Sequence, residues 1–275
     1  MDIRLLINSL DNIEQNSSIK KYISEDLYST PEMKPHWKRI DEGFIRGYEK
    51  YLSEVALTPD QIQNIFKHVI LNKDRLIINA ISEQIKQVYV NYGFPANKIN
   101  VLHNGAREDC FKYHDNPLNH DKSIYLAKIE DRKKQYIYQQ IPNIDFVGNY
   151  HNSSFDISQP NYLGEWKKDT LYNNLSYYGN LILLSDGEAD PLVVKEALIC
   201  GLGVVVSECA SANLDLTHKF ITIIPNDKLH DILYVNDEVN KNRKYSIKNR
   251  EKIREYGLKL FSWKNVINKY NQIIL

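Results

Sequence analysis

The chain's 275 residues, 43% of them hydrophobic, are enough for two small domains with a core in each. Lysine plus arginine and aspartate plus glutamate each total 35, so the formal net charge is zero; no basic tract marks a nucleic-acid partner, while a local patch facing a membrane stays open. Cys110, Cys200 and Cys209 have neither metal-ligand nor redox spacing, and there is neither a basic leader nor a run of ~20 apolar residues, which together predict a cytoplasmic protein.

Upstream of Arg75 the pattern is weak: no glycine precedes Gly43, and tyrosines and tryptophans interleave with lysines in a way that suits a core, a saccharide or a lipid headgroup. Arg75 to Asn79 then reads as a strand, and Ser82 as the N-cap of a helix from Glu83 to Tyr92 that Gly93 ends. Ile99 to Leu102 reads as a strand running into His103-Asn104-Gly105.

From Ser123 onward strands and helices alternate, as a parallel sheet requires. Ser123 to Ala127 is predicted as a strand, Arg132 to Gln140 as a helix, Ile144 to Val147 as a strand ending at Gly148, Tyr162 to Gly164 as a short strand and Lys168 to Tyr177 as a helix. Leu181 to Leu184 is the continuous apolar run of a buried strand, ended by Ser185-Asp186-Gly187. Asp190-Pro191 reads as an N-cap followed by the first residue of a helix, whose apolar face is Leu192, Val193, Ala197 and Leu198 and whose left-handed cap is Gly201. Val204 to Val206 and Phe220 to Ile224 read as strands, Tyr245 to Leu260 as a helix, and Trp263 to Ile274 as a final amphipathic helix.

The segment Leu181 to Glu208 carries the clearest chemistry. Glu188 in the loop and Glu196 in the helix are separated by seven residues, at the edge where strands stop and helices start and where ligands of open α/β sheets bind. The helix start at Asp190, Pro191 and Leu192 offers free amides and a partial positive charge to a phosphate. Glu196 can accept both hydroxyls of a ribose from there, and Glu188 can meet a sugar. With charged residues at 25% of the chain, the spacing of two glutamates alone carries little; the embedding gives it weight.

Ser-x-x-Glu, Glu-x7-Glu, the Glu-Ala-Leu helix and Gly-Leu-Gly-Val-Val-Val-Ser together resemble the retaining glycosyltransferases of the GT-B fold, family 4. The chain departs from the family where Ala189-Asp190-Pro191 replaces Gly-Phe-Gly. Tyr125 to Ile129 followed by Lys133 is similar to the family's first strand and basic loop, so the resemblance implies that Lys128 and Lys133 grip the donor diphosphate, with Arg132 or Lys134 able to share the work; a solvated charge cluster is the plainer alternative. Leu163, Gly164 and Glu165 fall where the family lines its base pocket, and Phe261-Ser262-Trp263 where it opens its last helix. The family often brings a histidine to the sugar, for which His36, His68 and His103 are candidates, each of which a surface or packed role explains equally.

The resemblance thus implies an α/β, GT-B-like fold: a doubly wound, Rossmann-like C-terminal domain plus a reduced N-terminal α/β domain. Residues 1–115 form the acceptor-side domain, 116–262 the nucleotide-sugar domain and 263–275 a helix crossing back. The implied function is metal-independent, retaining transfer from a nucleotide-diphosphate sugar to a saccharide or lipid-linked acceptor, with no cofactor beyond the donor. The shortened N-terminal half leaves open a non-catalytic or partner-dependent nucleotide-sugar-binding subunit, a partner subunit or homo-oligomer, and a peripheral membrane contact. A GT-B-shaped epimerase is a third reading, which would want more acid/base residues in the cleft.

Overall fold

A computed structural model describes residues 71, 76–91 and 93–274; the expectations for His36, His68, Arg75 and Tyr92 lie outside the described residues. The chain divides into two compact units, Met1–Leu76 and Ile77–Leu275. The second unit opens with β1 (Ile78–Ala80), α1 (Glu83–Asn91) and β2 (Ile99–Val101), the two strands pairing in parallel. Ser82 Oγ accepts from Ile85 N at 3.2 Å, as its N-cap reading requires.

A five-stranded parallel sheet follows. Its strands are β3 (Asn119–Leu126), β4 (Ile144–Val147), β5 (Tyr178–Leu183), β6 (Gly203–Ser207) and β7 (Ile221–Ile224), in the order β4-β3-β5-β6-β7. Every residue of β4, β5 and β6 is buried, which is why Leu181 to Leu183 and Val204 to Val206 read as continuous apolar runs rather than alternations, while Asp145 and Asn180 are buried polar groups within the same strands. The chain lays β4 on one side of β3 and then returns to lay β5 on the other, so the topological switch point lies between β3 and β5.

Helices α2 (Gln135–Tyr138), α3 (Lys168–Asn174), α4 (Leu192–Ile199), α5 (Ile232–Ile247), α6 (Arg250–Phe261) and α7 (Trp263–Ile274) complete the unit. Helix α4 ends as expected: Gly201 has φ +77°, its N–H reaches Leu198 O at 3.0 Å, and Leu202 N–H reaches Ala197 O at 2.9 Å, the paired bonds of a Schellman cap. Helix α7 starts at Trp263, whose N–H donates to Ala106 O at 3.1 Å.

Four expectations need correction. The helix expected over Arg132 to Gln140 is broken into a 3-10 turn, Asp131–Lys133, a left-handed Lys134 (φ 54°) and the four-residue α2. The turn is held from outside, because Tyr125 Oη donates to Lys133 O and Gln135 Nε2 donates to Lys128 O at 2.8 Å. Tyr162 to Gly164 makes a single parallel bridge, Phe146 to Tyr162, rather than a strand. Lys168 to Tyr177 turns 3-10 from Leu175. The helix expected over Tyr245 to Leu260 is two helices, α5 and α6, parted at Lys248 and Asn249.

Candidate functional site

The loops that follow β3 and β5 face each other across the switch point. Asp186 N–H donates to Arg132 O at 2.9 Å, stitching one loop to the other. Beneath them Tyr125, fully buried on β3, donates to Lys133 O and accepts from Leu184 N–H at 2.8 Å. A buried tyrosine hydroxyl has to find partners, and here it finds one in each loop.

On this scaffold Lys133 Nζ and Arg132 Nη1 converge on Glu188 Oε1, the arginine at 3.2 Å. Arg132 Nη1 also donates to Gly187 O and to Ser185 Oγ at 3.2 Å, and Nη2 donates to Glu130 at 2.8 Å. The Glu188 and Lys133 side chains are 12% and 11% exposed, so this pair is largely withdrawn from water. Burial lowers the Lys133 pKa, with Glu188 pulling the other way. Lys128, 52% exposed, stands apart with its Nζ 3.7 Å from Glu130, and Lys134 pairs with Asp186 at 3.0 Å. Two of the four cations of this loop, Arg132 and Lys133, therefore meet the glutamate, and Lys128, which the resemblance pairs with Lys133, does not.

Glu196 is the fifth residue of α4, roughly 6 Å along the axis from its start. No hydrogen bond or ion pair engages its carboxylate among the described residues, and burial pushes its pKa up to about 7. A half-buried carboxylate that no described residue engages is free to accept hydroxyls.

The N-terminus of α4 differs from expectation. Pro191, buried, occupies the cap position, Asp190 caps nothing, and Leu192 is 48% exposed. The Asp190 carboxylate instead pairs with Lys195, both side chains being 0% exposed, and accepts from Asn104 N at 2.7 Å and Asn213 Nδ2 at 2.9 Å. Asn213 Nδ2 also donates to Ile81 O at 2.8 Å, so the cluster joins the residues after β1, the turn after β2 and α4. A cap is worth about 1 kcal/mol. Leaving the buried Lys195 uncompensated costs about 3–5 kcal/mol, so the ion pair wins the aspartate.

Leu163, Gly164 and Glu165 run along the end of β4. Leu163 N–H donates to Phe146 O at 2.9 Å, Gly148 N–H to Gly164 O at 3.0 Å, and Asn149 Nδ2 to Glu165 at 3.0 Å, leaving Leu163 40% exposed on the same sheet edge. His103 is packed edge-on against Phe261 at 5.2 Å, and burial lowers its pKa. Sequence reasoning gave Tyr125, Lys195, Asn104 and Asn213 no role; the signals were a hydroxyl in an apolar strand and a lysine in the middle of an apolar helix. Among the described residues no group of three His, Cys, Asp or Glu could hold a metal ion, and no helix is long and apolar enough to cross a membrane.

No protein-family model matches the chain, and no curated protein matches it. Solved structures do. HepE from Anabaena, in complex with UDP and glucose, is 14% identical with a TM-score of 0.58, over 81% of this chain and 69% of that one. TarM is 15% identical with a TM-score of 0.58, over 76% of this chain and 45% of that one. Sucrose-phosphate synthase from Thermosynechococcus elongatus is 17% identical with a TM-score of 0.57, over 80% and 64%. At these identities the likeness shows the fold: an α/β architecture of the GT-B type.

Proposed function

We propose that the protein is a glycosyltransferase that moves a sugar from a nucleoside-diphosphate sugar to a saccharide or lipid-linked acceptor, retaining the anomeric configuration and needing no metal. The observation that carries this reading is Glu196, a half-buried carboxylate that no described residue engages, on the helix that follows the loop bearing Glu188. It suits a ribose diol, which offers two donors at once. The N–H groups at Leu192 and the positive end of α4 face the phosphates, with Lys133 beside them and Lys128 at the outer rim. Leu163 to Glu165 flank the nucleobase, and Glu188 orients the sugar.

In the proposed step the bond from the anomeric carbon to the diphosphate oxygen breaks as the acceptor oxygen bonds to the same face of that carbon. The acceptor's proton passes to the departing phosphate oxygen. Cations at the diphosphate stabilise the charge it gains, so no separate side-chain base is required.

The test is turnover of UDP-, GDP- and ADP-sugars by the full chain with saccharide and lipid acceptors. Glu188→Ala abolishes transfer, and Glu196→Ala weakens nucleotide binding about 10- to 100-fold, the worth of one or two hydrogen bonds to a charged group. Binding without turnover under every condition gives the function to a partner-dependent subunit; no binding at all rejects the reading.

A further inference from the structure

Resting on that reading of the site, in which cations of this loop hold the donor diphosphate, we propose that Glu188 is the resident counter-ion of Arg132 and Lys133, displaced toward the sugar when the diphosphate enters. The geometry selects these two cations. Arg132 and Lys133 both reach Glu188, Arg132 also sharing Glu130 at 2.8 Å, whereas Lys128 and Lys134 pair with Glu130 at 3.7 Å and Asp186 at 3.0 Å and do not meet it. Arg132 brings a planar fork that a lysine lacks, and phosphate oxygens fit that fork.

The exchange follows from charge. Lys133, largely withdrawn from water, needs an anion beside it, and the half-exposed Arg132 shares the one it has; Glu188 supplies one negative charge where a diphosphate supplies two. Once the diphosphate sits on the pair, a carboxylate left in place is repelled by it. The loop has the means to move its side chain: Ser185 N–H is fixed to Ser207 Oγ at 3.1 Å and Asp190 is locked by Lys195, while Glu188 lies between them flanked by Gly187 and Ala189. The same movement that frees the cations carries the carboxylate out of their reach.

A bare diphosphate must therefore evict Glu188 without a sugar to receive it, and removing the charge should tighten its binding. The experiment is calorimetric titration of the full chain with UDP, GDP, ADP and inorganic pyrophosphate. The nucleoside diphosphate that binds the unaltered protein should bind Glu188→Gln about tenfold more tightly, as should pyrophosphate, while Arg132→Gln should weaken both about tenfold or more. In Arg132→Gln/Glu188→Gln the gain from the glutamine should shrink.

Equal or weaker binding by a Glu188→Gln protein of normal melting temperature overturns the inference and leaves the donor-pocket reading standing. Unaltered binding by Arg132→Gln overturns it too, independently of how Glu188→Gln folds. If none of the three nucleoside diphosphates binds the unaltered protein, the donor-pocket reading itself falls and takes the inference with it.

Discussion

Burial pushes the Glu196 carboxyl from an ordinary value of 4.5 up to about 7, so the folded chain holds a proton there that the unfolded chain has released. Where the folded state binds more protons, stability falls as pH rises. The penalty from Glu196 is therefore absent below about pH 4.5 and grows progressively until pH 7, reaching about 3 kcal/mol for a shift of this size. Between pH 5 and 8 the urea midpoint should decline less in Glu196→Gln than in the unaltered protein; parallel curves would remove the residue from this account. Nucleotide binding should move the opposite way, tightening as the carboxylate ionises. At this scale Glu188 and Glu196 are legible from type and spacing and Lys133 from the family resemblance. Asp190 was legible only as a helix cap, because its choice of Lys195 depends on burial, and Arg132 only as one cation able to share the work, because its reach to Ser185 and Glu188 spans more than fifty residues of chain.

Helix α6 shows two principles in competition. Gly257 sits in its interior, where alanine would ordinarily stabilise a helix by up to about 1 kcal/mol. A Cβ there would lie 2.6 Å from Leu198 C and 2.7 Å from Ile199 N, backbone atoms of α4 that cannot step aside alone. Packing should win: Gly257→Ala is expected to destabilise by about 1–3 kcal/mol and to disturb the helix that carries Glu196. A rise in melting temperature would show that α4 and α6 can part freely. Helix α5 escaped sequence reading for a related reason. Its buried face is Val235, Val239, Asn242, Arg243 and Ser246, helical in spacing but polar in half its length. Those groups are satisfied inside, Arg243 donating to Ser123 Oγ at 2.8 Å and Asn242 accepting from Asn180 Nδ2 at 3.0 Å, and an apolar-period reading does not register them. The break before α6 likewise serves Arg250, which donates to Tyr178 O at 2.9 Å and Ser176 O at 2.7 Å.

For the whole molecule, ligand binding and folding are linked through the sheet edge. A nucleoside diphosphate at about 100 times its Kd should stabilise the protein by about 2.7 kcal/mol. For a unit near 200 residues that is a rise of roughly 5–10 °C in melting temperature. The site is assembled from loops after β3, β4 and β5 and from α4, so the shift should appear in the unfolding of the entire second unit. A ligand-induced shift confined to a minor early transition would contradict a site built on the central strands.

The features legible along the chain are local: the apolar stretches within β5 and β6, the strand at β4, the cap at Gly201, the start of the last helix at Trp263, and the spacing of the two glutamates. Strand propensity, turn chemistry and residue type suffice for these. The strand order that puts β3 beside β5, and so brings Arg132 and Lys133 to Glu188, emerges only when the chain packs. So does the burial that leaves Glu196 without a partner among the described residues and gives Asp190 to Lys195. Those outcomes depend on which groups lose their water when distant segments meet, and desolvation is a property of the packed fold rather than of any stretch of chain.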